Sequence, residues 1–149
     1  MDFDRYAFSG RELIRRIDHA LGNQGPDHAG RVLRCVLHAL RSRLTTEESL
    51  HVVAQLPMAI KGVYVDGWKP GPPNRSIRTA EDFAEEVIRA GGSAAWHDFS
   101  GPQDAREAAR EVMHVLSGFI SPGEWSDIEA VLPLALRQEV REWHNRKHH

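Results

Sequence analysis

Histidine is the most frequent side chain in this sequence that is able to do chemistry near neutral pH. The chain has nine histidines in 149 residues, many for its length. His38 and His114 lie in long predicted helices, and His97 lies between two others. Imidazoles bind metal ions and exchange protons, so these three are the candidates for a ligand, metal or catalytic site. However, His38 and His114 lie about 140° around their helices from an apolar reference position, which favours surface or inter-helix positions.

Other reactive residue types lack the partners that catalysis needs. His144 and His148 have the i, i+4 spacing of zinc ligands without the glutamate of the metalloprotease pattern, and the closing His148 and His149 are typical of an expression tag. The single cysteine, Cys35, has no adjacent base and cannot form an internal disulfide. Acidic pairs occur at predicted helix starts, where they complement the helix dipole. The sequence therefore predicts no catalytic residue, no metal site and no cofactor.

Four tryptophans are the remaining candidates for binding. Trp125 and Trp143 keep helical spacing with apolar neighbours, which favours core positions. Trp68 lies in a connector rich in proline and glycine, and Trp96 lies between two predicted helices. Tryptophans in such loops either cover the end of a bundle or bind a partner. Because little chain separates the two loops, we expect Trp68 and Trp96 to form one partner-binding aromatic patch.

Helices must position all of these residues. Apolar residues recur at helical spacing along most of the chain, and capping boxes or prolines mark the starts of the segments. This pattern predicts an all-α helical bundle without a sheet. The predicted helices cover residues 9–22, 27–44, 46–56, 79–90, 103–119, 122–131 and 133–145, with a short apolar segment at 58–64.

The two halves of the chain resemble each other. A shift of 76 residues places His38 on His114, and a shift of 70 places Leu13 on Phe83, so the second half contains a six-residue insertion around Trp96. Each half is too short to bury a sufficient core alone. The sequence therefore predicts a single domain over 1–149, with repeat one at about 9–64, a linker at 65–78 and repeat two at about 79–146.

Several segments together resemble a known family. They are an acidic-aromatic start, the long helix 29–44, Thr45-Thr46-Glu47-Glu48, Ala54-Gln55-Leu56-Pro57, Gly67-Trp68-Lys69-Pro70, Phe83-Ala84-Glu85-Glu86-Val87, Ser121-Pro122-Gly123-Glu124 and Val131-Leu132-Pro133. Over nearly its whole length the chain resembles the bacterial proteins grouped as domain-of-unknown-function family 2267. The resemblance implies an all-helical, internally repeated bundle with no established activity, so it provides no functional residues.

Composition and charge narrow the class of partner. Hydrophobic residues make up 41% and charged residues 27%, as in globular domains, and the net charge of -2 gives no general attraction to nucleic acid or anionic membranes. No apolar stretch reaches the roughly 20 residues of a membrane span, and the acidic start lacks a secretory signal, which predicts a cytoplasmic protein. Residues 1–45 carry eight arginines against five acids, or +3, which leaves -5 for the rest. This asymmetry favours attraction between halves or copies over nucleic-acid binding.

Two functional hypotheses remain open at this point. The first is a non-enzymatic helical interaction module that binds a protein partner, or itself, through Trp68 and Trp96. The second is an enzyme or a small-ligand or metal-binding protein whose site lies between the repeats and uses His38, His114 or His97. A polar cleft that holds two of these histidines would favour the second hypothesis, and a solid core with an exposed aromatic patch would favour the first.

Overall fold

Capping residues set the starts of most helices. Thr45 and Glu48 form a complete capping box, in which the Thr45 hydroxyl accepts from the Glu48 amide at 3.1 Å and the Glu48 carboxylate accepts from the Thr45 amide at 2.9 Å. Three other helices begin at Pro26, Pro102 and Pro122. Proline suits the first helical position because an amide there has no partner within the helix. All four starts lie within one residue of the predicted ones.

The computed structural model describes residues 2–147. This part of the chain is all-helical and contains no strand, which confirms the predicted fold class. In chain order the helices are α1 (Phe3–Ala20), α2 (Pro26–Arg43), α3 (Thr46–Gln55), α4 (Met58–Val65), α5 (Ala80–Ala90), α6 (Ala95–Asp98), α7 (Pro102–Ser117), α8 (Pro122–Ala130) and α9 (Leu134–Lys147). None of the helices within 2–147 is both long and apolar enough to span a bilayer.

Two features of the helix pattern differ from the prediction. The first helix begins at Phe3 and not at Ser9, because the Asp2 side chain caps it by accepting from the Arg5 amide at 3.0 Å. Ser9 lies inside the helix, so its capping-box spacing has no effect there. The insertion after α5 also forms the short helix α6, which the sequence pattern did not predict.

The helices of the two halves interleave. Helix α2 packs against α1 and α4 of its own half and against α5 and α7 of the other half, and α1 also packs against α7. The pairs α1–α2, α2–α4 and α3–α4 have counterparts in α5–α7, α7–α9 and α8–α9. These are the pairs that the repeat hypothesis requires, and superposition of residues 9–64 on 79–140 is its direct test.

The core between these helices is apolar and continuous. Leu13, Ile17, Val36 and Leu37 from α1 and α2 are completely buried, as is Val112 of α7. A polar contact supplements this packing at the surface. The Arg31 guanidinium of α2 donates two hydrogen bonds of 2.9 Å to Asp98, which holds α6 against the first half.

Candidate functional site

The connector tryptophan lies at the C-terminal end of α2. Trp68 is half-buried, and its ring meets the ring of Tyr64 edge-on with centroids 6.4 Å apart. Together with Leu44 and Gly71 it lines a hollow of about 460 Å³. The ring therefore covers the end of the first half as well as facing solvent.

The insertion tryptophan lies elsewhere. Trp96 in α6 is 73% exposed, and its ring stacks on that of His97 with centroids 3.6 Å apart. Because Asp98 of the same helix binds Arg31, α6 lies beside the N-terminal half of α2. Trp68 lines its hollow together with Arg41 and Leu44, which follow Arg31 on α2 by about 15–20 Å along the helix axis. A shared aromatic patch and a partner-binding role for Trp68 or Trp96 stay predictions.

The three candidate histidines occupy three different environments. His38 is half-buried between α2 and α4, where its Nε2 lies 2.9 Å from the carbonyl oxygen of Val63, and burial lowers the pKa of this imidazole. His97 is exposed and stacks on Trp96. His114 alone of the three lines a large cavity. The predicted inter-helix position therefore describes His38 well, and the three side chains do not converge on a common site.

The cavity beside His114 lies between α1 of the first half and α7, α8 and α9 of the second. Its volume is about 620 Å³, within the usual range for ligand pockets. We call this cavity the histidine pocket. It is lined by Arg16, His114, Val115, Ser117, Gly118, Ile120, Pro122, Trp125 and His144.

One hydroxyl orients the second histidine of the histidine pocket. The Ser117 hydroxyl donates to the carbonyl oxygen of His114 at 2.6 Å, which uses its single proton. Its oxygen can then only accept from Nδ1 of His144, which lies 3.2 Å away. The ring centroid of His144 lies 6.5 Å from that of His114 and 6.2 Å from that of Trp125.

A buried donor and a cation complete the histidine pocket. Trp125 is only 4% exposed, and its indole N–H has no hydrogen-bond partner in the part of the chain that the structure describes. On the α1 side the Arg16 guanidinium lies over the Phe119 ring, 5.4 Å from its centroid, and its Nε donates to Glu12 at 3.0 Å. The Trp125 N–H is out of solvent contact, so the half-exposed Arg16 guanidinium is the donor that faces the cavity.

A second large cavity is a groove on the first half. It lies between α1, α2 and α4 and has a volume of about 650 Å³; we call it the α1/α2/α4 groove. Its lining is mostly apolar, with charged side chains from α1. The lining residues are Ala7, Gly10, Arg11, Ile14, Arg15, Asp18, Pro26, Gly30, Leu33, Ala59, Ile60 and Val63.

A missing side chain keeps the α1/α2/α4 groove open. A Cβ atom built on Gly30 would meet no atom within 4 Å. The 76-residue shift places Gly30 on Arg106, whose guanidinium pairs with both Glu81 of α5 and Glu139 of α9. The corresponding surface of the second half is thus spanned by an ion-pair bridge, whereas the first half leaves its apolar surface exposed.

Two other chemical options receive no support from the geometry. Cys35 is buried, and burial raises the pKa of its thiol, which disfavours the nucleophilic thiolate. Within residues 2–147 there is no cluster of three or more histidine, cysteine or acidic side chains able to hold a metal ion. The i, i+4 spacing of His144 and His148, from which no metal site was predicted, includes a residue outside this range.

Sequence reasoning missed both cavities. The α1/α2/α4 groove depends on a small residue, Gly30, at a point where the aligned residue is Arg106, and that difference was visible in the repeat alignment. His144 was considered only together with His148, although the 76-residue shift places it on Trp68. The unpaired indole of Trp125 depends on tertiary packing and has no sequence signal.

Comparison with known protein families gives a match. The profile of a family described as "Uncharacterized conserved protein (DUF2267)" matches residues 10–139. A search of curated proteins finds no significant match.

Proposed function

The chain belongs to the DUF2267 family of uncharacterized conserved proteins, and we propose that it is a helical interaction module that binds an acidic amphipathic helix of a protein partner in the α1/α2/α4 groove. The observation that carries this proposal is the open apolar surface at Gly30. The site differs from the aromatic patch predicted from the sequence, although the class of function is the same.

The dimensions of the α1/α2/α4 groove suit a helix. Along α1 it extends from Ala7 to Asp18, a distance of about 16 Å, which corresponds to roughly three helical turns. A partner helix of that length presents apolar side chains at positions i, i+3 or i+4, and i+7 on one face. Half-buried Ile14 and Val63 and exposed Pro26 provide the apolar surface that such side chains would cover. Leu33 and Ile60 lie beneath them and are buried.

A large exposed side chain flanks this surface. Phe8, which lies about 100° around α1 from the lining residue Ala7, is 64% exposed. Exposed apolar side chains beside a groove are typical of protein-binding surfaces. Phe8 gives a partner helix additional apolar contact at the flank of the groove.

Charge selects the kind of helix. Arg11 and Arg15 lie at the edge of the groove and are exposed, whereas the carboxylate of Asp18 accepts from the Gly25 amide at 2.9 Å. Arg15 pairs with Glu12, and Arg11 takes part in no ion pair among the described residues. Among the lining residues two exposed arginines stand against one aspartate, which favours acidic residues beside the apolar face of the partner.

The contacts that the arginines of α2 make within the chain favour a protein partner over nucleic acid. Arg31 pairs with Asp98 and Arg34 with Asp66. Arg41 donates to the carbonyl oxygens of residues 64 and 66, and Arg43 donates to that of residue 77. These guanidinium groups bind other parts of the chain, so they do not form a continuous basic surface of the kind that phosphate backbones require.

Substitution of Gly30 tests the proposal directly. Gly30→Arg introduces the residue found at the aligned position in the second half, and the open space around Gly30 accommodates it. Gly62→Arg is the matched control, because Gly62 lies exposed in α4, is not among the lining residues, and a Cβ there also meets nothing within 4 Å. Both changes raise helix propensity and add one positive charge.

The probe is a fluorescein-labelled, three-turn helical peptide with leucine on one face and glutamate elsewhere, compared with the same peptide carrying lysine for glutamate. We expect fluorescence anisotropy to show binding of the acidic peptide to the wild type and to Gly62→Arg. Blocking an apolar anchor site should weaken binding to Gly30→Arg by about tenfold or more.

Two results would contradict the proposal. Equal affinity of Gly30→Arg and Gly62→Arg for the acidic peptide would exclude the groove as the site, and equal binding of the lysine peptide would exclude charge selection. Sedimentation velocity tests whether a second copy of this chain occupies the groove. A concentration-dependent dimer that Gly30→Arg abolishes would assign the groove to a second copy of this chain instead.

A further inference from the structure

We propose that the histidine pocket is a separate binding site for a small organic acid, whose carboxylate pairs with Arg16 and whose apolar body packs on Trp125 and Ile120. The site is independent of the α1/α2/α4 groove, since the two cavities share no lining residue.

The polar groups of the histidine pocket specify an acceptor. The indole N–H of Trp125 can only donate, and so can the guanidinium of Arg16. The Trp125 N–H is out of solvent contact, so Arg16, whose side chain is 56% exposed, is the donor that meets an acceptor atom of a ligand. A carboxylate is the simplest group that offers both acceptor oxygens and a negative charge.

The charge balance of the histidine pocket favours an anion. Glu12 pairs with both Arg15 and Arg16, so one positive charge remains in this group of three side chains. The nine residues that line the cavity include no aspartate or glutamate. An anion in the pocket therefore meets a net positive edge and no opposing carboxylate in the lining.

The remaining walls of the histidine pocket favour an apolar ligand body. Val115, Ile120 and Pro122 provide aliphatic surface, and Trp125 and His144 provide ring surface. A volume of about 620 Å³ is larger than an inorganic anion needs. A carboxylate attached to an aromatic or branched body uses both the charge and the apolar surface.

The hollow at the end of α2 is the counterpart of the histidine pocket under the repeat alignment, and it is covered by the linker. Under the repeat alignment Arg16 corresponds to Glu86 and His144 to Trp68, and both of these line the hollow at the end of α2. The linker covers that hollow, with the Asn74 amide donating to the carbonyl oxygen of residue 42 at 2.8 Å. At the end of α2 a carboxylate from α5 thus takes the place of the cation and the linker folds over the hollow, whereas the histidine pocket keeps the cation from α1.

Indole nitrogen NMR provides the test, because each tryptophan side chain gives its own ¹⁵N–¹H signal. Trp125→Phe assigns the Trp125 signal by its loss. The probes are benzoate, 2-naphthoate and indole-3-acetate, with 2-naphthamide as the uncharged match for 2-naphthoate. We expect 2-naphthoate to shift the Trp125 signal in a saturable way and 2-naphthamide to bind more weakly.

Variants of the paired arginines separate charge recognition from general effects. Arg16→Gln should weaken 2-naphthoate binding by about tenfold or more and leave 2-naphthamide binding unchanged, because only the carboxylate loses its ionic partner. Arg15→Gln is the matched control, since Arg15 shares Glu12 with Arg16 but does not line the histidine pocket. It removes the same net charge as Arg16→Gln but not the direct ionic partner, so it should weaken 2-naphthoate binding clearly less and leave 2-naphthamide binding unchanged.

Three outcomes would overturn the inference. The first is that none of the three acids shifts the Trp125 signal at about 5 mM, a concentration that reveals even millimolar binding. The second is equal affinity of Arg16→Gln and Arg15→Gln for 2-naphthoate. The third is loss of 2-naphthoate binding in Gly30→Arg, which would place the acid in the α1/α2/α4 groove. Conversely, a failed peptide experiment with intact 2-naphthoate binding would refute the proposed function alone.

Discussion

The buried hydroxyl pair of Ser49 and Tyr64 allows a quantitative test of the packing between α3 and α4. Both residues are completely buried, and their oxygens lie 2.8 Å apart. Tyr64→Phe removes one hydroxyl and leaves that of Ser49 in an apolar environment. The lost hydrogen bond and the unpaired group together should cost about 1–3 kcal/mol of unfolding free energy.

A double-mutant cycle isolates the contribution of this hydrogen bond. Ser49→Ala alone should also cost about 1–3 kcal/mol, because it leaves the Tyr64 hydroxyl without its partner. The double variant should be about as stable as either single variant, since neither buried hydroxyl then remains. The resulting coupling energy should be about 1–3 kcal/mol, within the range for residues in contact.

Urea denaturation at pH 7, followed by circular dichroism, measures each free energy. Tyr6→Phe is the matched control, because Tyr6 is half-exposed on α1 and should change stability by less than about 0.5 kcal/mol. Strictly additive effects of Ser49→Ala and Tyr64→Phe would refute the reasoning, because additivity means that the two hydroxyls do not interact.

Two further predictions concern the core. Leu37→Ala and Met113→Ala should each lower the unfolding free energy by about 2–5 kcal/mol, because both side chains are buried. His38→Ala should cost only about 1 kcal/mol, because His38 loses a single hydrogen bond to a carbonyl oxygen. Urea midpoints distinguish these magnitudes, and an equal cost for His38→Ala would make His38 a core residue. Burial raises the pKa of Tyr64 to about 12, so the folded state retains its proton where the unfolded state loses it. Stability from this group is complete below pH 10 and should fall by about 3 kcal/mol between pH 10 and 12, a loss that Tyr64→Phe removes in the same titration.

The sequence predicts the start of a helix well where a capping residue is followed directly by an apolar stripe at helical spacing. The Thr45 capping box is an example, because its hydrogen bonds involve only residues within one turn. Ser9 shows the limit of this reasoning. Its Ser-x-x-Glu spacing was read as a helix start, but Asp2 already caps the same helix upstream, and continuation of a helix is easier than nucleation. Helix α6 was missed because four residues carry no periodicity, and a distant contact between Arg31 and Asp98 holds it in place.

The candidate sites were less accessible to sequence reasoning for a different physical reason. The histidine pocket and the α1/α2/α4 groove are spaces between helices, and their shape depends on how several helices pack. Gly30 is conspicuous only because a side chain there would fill the groove. The candidate histidines and tryptophans were chosen by type, whereas Arg16, an ordinary surface arginine in the sequence, gained its place from the position of α1 against α7.

The interleaving of helices has a consequence for the linker between residues 65 and 78. Because α2 is covered by α5 and α7, each half serves as the solvent shield of the other. Hydrolysis of a peptide bond at exposed Gly71 would therefore leave two fragments that remain associated, held by the same buried surface as the intact chain. Either fragment made alone would expose its apolar helix faces to water, so the halves behave as complementary fragments of a single folding unit.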